Sequence, residues 1–388
     1  MHIKTRFGEI LKEFPKGKFE QIVQMNNANK YKKSFSAYDH LIALIYAQLS
    51  GSTSLRQVET GFNVHSQHHY HLGTGQIKRS TLSDANNHRN PDIFKQLVSY
   101  LIQFINRKQR KELNTLLYLL DSTPIQLRDS WHDWAKATAT THHRGLKAHI
   151  MLEGNVGNPS YFSLSNANIN DITAVQDMEF QSGATYVFDK GYTDYNWWLR
   201  ITKSSAYFVT RFKKNAAIQV AFSKPVSGDI LSDEIVHFKN KSNRAKHKNH
   251  HYGIPLRKIC IYREGSNPLL LATNDFSRPA EEIAELYKNR WGIELFFKWL
   301  KQNLRIKKFL GQSKTAVEFQ LYAAMITYLL LWLYRQNNIQ TTVSMYLMLV
   351  ELRSTLFERL DINKHNEYRR NRCESERYIN KIQYRMEL

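Results

Sequence analysis

An α/β architecture is predicted for this chain of 388 residues, flanked by helical regions at both ends. Three observations predict it. Apolar residues recur at helical spacing through residues 1–110 and again from 304 onwards. Between these regions, short runs of β-branched and aromatic residues alternate with short helical stretches. Turn signals rich in Gly and Asn punctuate the runs, as expected where the period changes from helix to strand.

Taken in order, residues 35–50 are expected to form a helix with Leu41, Ile42, Leu44, Ile45 and Leu49 on its apolar face. Residues 54–62 read as a short helix. Ser80 is the expected N-cap of a helix over 81–89, and Asp92 that of a helix over 93–106. The short helix, the turn at Gly73 and Gly75, and Arg79-Ser80-Thr81 suit a helix-turn-helix. Residues 1–110 are therefore read as a DNA-binding domain with Arg79 as a contact.

Residues 116–120 form an apolar run ending in Asp121. Residues 147–152 and 161–164 are strand-like and joined by Gly154, Asn155, Gly157 and Asn158, a hairpin signal. A short helix over 171–178 follows, then a second apolar run, 184–188, ending in Asp189. Thr193 is the expected N-cap of a helix through 203, and 206–211 is a fifth strand. The order β-β-β-α-β-α-β over 111–214 is that of a ribonuclease-H-like core, with helices on both faces of a mixed sheet. The closing helix does not follow at once. Residues 215–276 read as a β-rich insertion with strands at 217–222, 230–238, 256–262 and 269–273. Arg278-Pro279-Ala280 then starts the helix that rejoins the core over 277–303. Residues 304–388 are helical and end in a basic tail with Arg369, Arg370, Arg372, Arg377, Lys381 and Arg385. The most hydrophobic stretch, 321–333, is too short to span a bilayer and contains Tyr and Thr, so it reads as a buried helix.

Hydrophobic residues make up 42% of the chain, which marks a globular protein. Lys plus Arg number 55 against 34 Asp plus Glu, a net charge of +21. A polyanionic partner is the simplest account of that excess. The two cysteines, Cys260 and Cys373, are too far apart in sequence for a zinc motif and exclude a disulfide scaffold. The N-terminus carries no apolar signal segment. A cytoplasmic protein acting on the nucleoid, with no membrane partner, is expected. No glycine-rich nucleotide loop is found, so ATP is not implied.

The segment Tyr287-Lys-Asn-Arg-Trp-Gly-Ile-Glu-Leu-Phe-Phe-Lys-Trp-Leu-Lys301 carries the chemistry. On one helix, Tyr287, Arg290, Glu294, Lys298 and Lys301 share a face. Trp291, Ile293, Leu295, Phe296, Phe297, Trp299 and Leu300 read as core. Glu294 is then one carboxylate within a cationic stripe, a costly position unless a metal or phosphate completes the site. Asp121 and Asp189, each at the end of a buried strand, would meet it at one sheet edge. Three hard oxygen donors there suit two Mg²⁺ or Mn²⁺ ions and in-line displacement at a phosphate.

These residues resemble a family. The spacing of Tyr287, Arg290, Glu294 and Lys301 is similar to the Tyr-Arg-Glu-Lys signature of bacterial DDE transposases of the insertion-sequence-4 group. Tyr186-Val-Phe-Asp189-Lys-Gly-Tyr-Thr-Asp-Tyr195 resembles that family's second-aspartate motif, and Leu119-Leu-Asp121-Ser-Thr the first. Residues 41–72 resemble the N-terminal domain of one branch, and the β insertion is a family trait. The resemblance implies that Asp121, Asp189 and Glu294 bind the metals. It implies that Arg290 and Lys301 hold phosphates near the cut and that Tyr287 contacts a terminal phosphate. Cutting at inverted repeats, in several members through a hairpin, and joining of 3′ ends to target DNA are implied, in a homodimer on double-stranded DNA. Where a hairpin forms, an aromatic ring stacks on a flipped base. Trp291, Trp197 and Trp198 are the candidates, and packing is the favoured reading of all three. Many relatives carry His-Asp after the third strand where this chain has Asn170-Asp171. Asp171 is read as a cap or supporting group.

Further cations extend the stripe: Arg305, Lys307, Lys308 and Lys314. The loop at 239–251 carries Lys239, Lys241, Arg244, Lys246 and Lys248 without an acid, which suits phosphate contact. Arg211, Lys213 and Lys214 follow the fifth strand and face the same groove in this reading. His65, His68, His69 and His71 lack a Cys or acidic partner at metal spacing and read as a polar helix surface or a DNA-facing patch. His142 and His143 are given no role. Two other readings stand beside the transposase: a ribonuclease-H-like nuclease that cleaves without joining, and an inactive transposase-derived repressor. Intact carboxylates speak against the repressor.

Overall fold

The computed structural model describes residues 5–30, 34–109, 116–127, 132, 134–135, 144–154, 157–213, 216–239, 252–338 and 344–358. Lys241, Arg244, Lys246 and Lys248, His142 and His143, Lys214 and the basic tail lie outside the described residues.

The N-terminal region is helical: α1 (Arg6–Ile10), α2 (Lys16–Met25), α3 (Ala37–Ser50), α4 (Leu55–Asn63), α5 (His69–Leu72), α6 (Arg79–His88) and α7 (Asp92–Gln109). The core follows as β1 (Leu117–Gln126), β2 (Gly145–Glu153), β3 (Pro159–Asn166), α8 (Asp171–Ala174), β4 (Thr185–Phe188), α9 (Tyr195–Lys203) and β5 (Tyr207–Arg211). Next come β6 (Ile218–Lys224), β7 (Ile230–Phe238), β8 (Leu256–Ile261) and β9 (Leu269–Thr273). The chain continues through α10 (Ala280–Lys288), α11 (Trp291–Asn303), α12 (Lys314–Asn338) and α13 (Met345–Thr355).

Helix starts follow side-chain capping, though not always at the expected residue. Ser36 and Asp39 form a reciprocal capping box at α3, which satisfies two otherwise orphaned N–H groups. Lys78, not Ser80, precedes α6, because Glu59 from α4 accepts the Arg79 N–H at 2.9 Å. Asp194, not Thr193, caps α9, accepting the Trp197 N–H at 2.9 Å, while the Thr193 hydroxyl turns back to the Lys190 carbonyl. Asn90 accepts the Asp92 N–H, so Asp92 is already the first helical residue.

One nine-stranded sheet runs β3-β2-β1-β4-β5-β9-β8-β7-β6 among the described residues. β1, β2 and β3 are antiparallel neighbours, whereas β1, β4 and β5 are parallel. The strands of 215–276 extend this same sheet, since β9 pairs antiparallel with β5. Alternation along each strand sends residues to opposite faces. Leu119, Val187 and Val209 join the larger cluster under α7, α11 and α12. Leu120, Phe188 and Phe208 join a second cluster around Trp197 and Trp198. α12 passes a length and hydropathy test for a membrane span, but 94% of its apolar window is buried inside the protein. It is the core helix expected from 321–333, and it packs on α3, α6 and α7.

The junction between the last strands and α10 is held by a buried arginine. Arg257 on β8 is 2% exposed. Its Nε and Nη2 donate to both carboxylate oxygens of Asp233 on β7, at 2.8 Å each. Its Nη1 donates to the carbonyls of Asp275 and Arg278, in the turn that leads into α10.

Candidate active site

Sheet register brings the two aspartates together. Leu120 pairs with Phe188 in the parallel β1–β4 ladder, so Asp121 and Asp189 are the next residues on neighbouring strands. By alternation both lie on the face of Leu119 and Val187, the face that α11 covers. Asp189 ends its strand as expected. Asp121 does not: β1 runs on to Gln126, paired there with β2 alone. Asp121 thus stands where β1 outruns β4, which gives the same opening at the sheet edge.

The signature segment is two helices, not one. α10 ends at Lys288, and Arg290 precedes α11 as its N-cap residue. Three-residue bonds tighten the junction: Arg290 N–H to Tyr287 carbonyl at 3.2 Å, Gly292 to Asn289 at 2.9 Å, and Ile293 to Arg290 at 3.1 Å. Such a turn advances about 120° per residue in place of 100°, which rotates the positions after it. Trp291 and Leu295, expected in the core, are 61% and 51% exposed, because they lie across α11 from the buried stripe of Ile293, Phe296, Phe297 and Leu300. Ile293, Phe296, Phe297 and Leu300 are buried as expected, and Trp299 packs against the core. Trp197 and Trp198 are fully buried.

Arg290 bridges the carboxylates. Its Nη1 donates to Asp121 Oδ2 at 2.9 Å and its Nη2 to Glu294 Oε1 at 2.6 Å. Its guanidinium also lies 5.7 Å from the Tyr287 ring centre. Burial, with Asp189 and Glu294 nearby, pushes Asp121 up to about 6 against the pull of Arg290 and the Ser122 N–H. Burial also raises Tyr287, whose hydroxyl has no hydrogen-bond partner among the described residues.

With the arginine in that position, no group of three or more acidic, histidine or cysteine side chains among the described residues is gathered to hold an ion. The donor set nevertheless suits a hard cation. All three groups are carboxylates, and Asp189 Oδ1 is buried without a hydrogen-bond partner among the described residues. A charge that burial and like neighbours disfavour is what a cation relieves.

Asp121 is also held from the opposite face. The Ser122 N–H donates to Asp121 Oδ1 at 2.8 Å, and the Ser122 hydroxyl donates to Asp171 Oδ1 at 2.9 Å. Lys147 Nζ on β2 donates to the same oxygen at 3.0 Å and to the Ile169 carbonyl at 2.9 Å. Asp171 therefore supports β1, in line with a supporting reading, although Asn170 and not Asp171 takes the N-cap position. Gly191 leaves room for it: a Cβ there would stand 3.0 Å from Asp171 Oδ2, so that carboxylate would have to shift by a few tenths of an ångström. Sequence reasoning overlooked Ser122 and Lys147. The available signal was a lysine inside an otherwise apolar strand.

A pocket of about 440 Å³ opens over Asp121 and Glu294, lined also by Thr123, Lys298, Lys301 and Lys307; Asp189 is not among its lining residues. Burial and the neighbouring Lys307 lower Lys301 below the ordinary lysine value. Lys308 is exposed further along the chain. Arg305 is engaged elsewhere: its guanidinium donates to the Gly51 carbonyl, and its N–H to Gln48 at 2.6 Å, tying it to α3. Lys314 pairs with Glu318 at 3.7 Å. Lys239 is exposed just past β7, three strands from β5. Arg79 is exposed at the start of α6.

A family model described as a transposase DDE domain matches residues 113–330, and one described as a domain of unknown function (DUF4372) matches residues 2–75. A putative transposase, y4zB, of Sinorhizobium fredii is 38% identical over 288 residues, covering 72% of this chain and 78% of that protein. A probable transposase for insertion sequence element IS5377 of Geobacillus stearothermophilus is 28% identical, covering 70% and 72%. A solved piggyBac transposase synaptic complex with hairpin DNA aligns over 96% of this chain and 82% of that one. Its TM-score is 0.47 and its identity 9%, too loose a likeness to carry an argument.

Proposed function

Since the chain belongs to the family of transposases with a DDE domain, we propose that Asp121, Asp189 and Glu294 are its three catalytic carboxylates. The protein is a DNA transposase, a metal-dependent enzyme that cuts and joins DNA. The observation that carries the residue assignment is Arg290, held between Asp121 and Glu294 while Asp189 stands at the adjacent strand position. The order β3-β2-β1-β4-β5 supports a ribonuclease-H-like catalytic unit. The Tyr287, Arg290, Glu294 and Lys301 spacing supports membership of the insertion-sequence-4 group.

In the DNA-free chain Arg290 engages two of the three carboxylates, its one positive charge shared between them. A phosphate entering the site competes for the same guanidinium, and bidentate arginine–phosphate pairing is among the stronger charge-assisted contacts. Transfer of Arg290 to that phosphate frees Asp121 and Glu294. Two Mg²⁺ or Mn²⁺ ions held by the freed oxygens would activate the attacking water or 3′-hydroxyl and stabilise the leaving oxygen. Lys298, Lys301 and Lys307 hold the neighbouring phosphates, and Tyr287 contacts a terminal one. Ser122, Asp171 and Lys147 are positioning residues that fix β1 from behind. Trp291, exposed next to Arg290, is the ring placed to stack on an unpaired base. The enzyme works as a homodimer on two inverted-repeat ends and joins their 3′ ends to target DNA.

The test is a strand-transfer assay with pre-cut 3′-hydroxyl ends and Mg²⁺. Joined products are expected. Hydrolysis of end DNA with no joining under the same conditions would replace this reading with a nuclease.

A further inference from the structure

A second cationic groove, of about 730 Å³, opens at the same sheet edge on the far side of β5. Its walls are Lys190, Arg211 and Phe212, and the turn between β8 and β9 with Arg263, Ser266 and Asn267. Parallel pairing of β4 with β5 puts Lys190 and Arg211 at one end of the sheet. Antiparallel pairing of β5 with β9, continued by the Phe212 N–H to the Leu270 carbonyl at 3.1 Å, brings the turn alongside them.

Two features set the groove apart from an ordinary solvated surface. Among the described residues three cations line it and no acid does, a local excess of positive charge that favours an anion. The turn is also pre-shaped. Gly265 takes φ 63°, and Arg263 Nε and Nη2 both donate to the Asn267 carbonyl, at 3.1 and 2.7 Å. That clip holds the guanidinium against the wall, which lowers the ordering cost of a contact. The groove also adjoins the catalytic residues. Lys190 follows Asp189 directly, and Arg211 is near enough to Tyr287 to act on its hydroxyl.

We propose that this groove binds the sugar-phosphate backbone of DNA one to three phosphates from the cut, with Arg263 as an anchor. The proposal rests on the transposase reading. β5 and β9 lie one and two strand spacings from β4, about 5 and 10 Å. Phosphates of one duplex strand advance about 3.4 Å each along the helix axis. A strand laid from the carboxylates across this edge therefore reaches the groove within roughly that many phosphates. Volume agrees, because grooves of several hundred Å³ enclose ligands larger than a single phosphate.

The experiment measures metal-free binding of the full chain to an end duplex across a salt series, together with phosphate-ethylation interference. Arg263 is exposed, so Arg263→Ala does not threaten the core. Arg263→Ala is expected to reduce the slope of log K against log salt by about 0.9 for the phosphate lost. Interference one to three phosphates from the cut should disappear in that variant, and Arg263→Lys should restore the slope. Wild-type slope and interference in Arg263→Ala would overturn the groove while leaving the transposase reading intact. A wild-type chain that binds no end duplex at all would overturn both.

Discussion

Two arginines in this molecule hold carboxylates, and their surroundings differ. Arg257 is buried, gives two parallel bonds to Asp233 and spends its remaining reach on two backbone carbonyls. Arg290 is split between two carboxylates on different elements and leaves its buried Nε without a partner among the described residues, where Asp189 Oδ1 on the neighbouring strand also has none. The first arrangement fixes a junction. The second is under-satisfied on both sides, as expected of a site that exchanges partners when substrate arrives.

The largest effect should come from removing a carboxylate from the unsaturated site. Glu294→Gln should lower cleavage of an end duplex by at least about 10³-fold, while band-shift assays show end binding retained. Full activity in that variant would remove Glu294 from the site. The matching change at the saturated site acts on stability. Arg257→Ala strands Asp233 without its partner and should cost about 3–5 kcal/mol in chemical denaturation. Replacing both partners with apolar residues, Arg257→Met with Asp233→Leu, should recover most of it. Equal losses in single and double variants would mean that the carbonyl contacts of Arg257, not the ion pair, hold the junction.

Arg290→Ala sharpens the comparison from the other side. Its partners reach solvent, so the loss in stability should stay within about 1–2 kcal/mol. Cleavage should fall roughly 10²-fold or more, and the salt slope of end binding should drop by about 0.9. With the guanidinium gone, three carboxylates are left facing one another. Mn²⁺ should then bind the DNA-free protein about tenfold more tightly, as read by electron paramagnetic resonance. Unchanged Mn²⁺ affinity would mean that Arg290 does not compete with cations for these oxygens.

Much of this was legible in the sequence, for physical reasons that also explain the misses. The β-rich runs at 230–238 and 269–273, bounded by turn and charge signals, give β7 and β9 to the residue. The aspartates were legible because apolar runs end at them, yet Asp121 proved to be inside a strand. The polar Ser122-Thr123-Pro124 after it reads as a terminator. The strand tolerates Pro124, which lacks an N–H, because only β2 pairs with β1 there. The exposure of Trp291 and Leu295 was legible in the helical spacing, which sets them across α11 from Ile293, Phe296, Phe297 and Leu300; assigning every apolar residue of the segment to the core hides it. The bridge from Arg290 to Asp121 spans 169 positions and no local pattern encodes it. The Lys147 contact with Asp171 was missed for a similar reason, as it depends on which strand pairs with β1.

The smallest effect separates the two clusters by pH. His40 lies on α3 among Phe35, Phe94 and Phe319, and burial, with Arg89 adding to it, pushes it down to about 3. His149 on β2 is pushed down to about 4, again first by burial. A histidine held neutral in the fold binds a proton more readily once unfolded, where its value is near 6.5. The contribution to stability is therefore complete above that value and is lost as pH falls below it, towards 3 or 4. Each histidine should remove up to about 1.4 kcal/mol per pH unit through that window. His40→Asn should flatten the fall in denaturation midpoint between pH 6 and 4, since the carboxamide can still meet Asn86, the partner of His40 at 2.8 Å. An equally steep fall in His40→Asn and wild type would place the acid sensitivity elsewhere, with His149 the next group to examine; Asp121, raised in the fold, acts in the opposite sense and stabilises as pH falls.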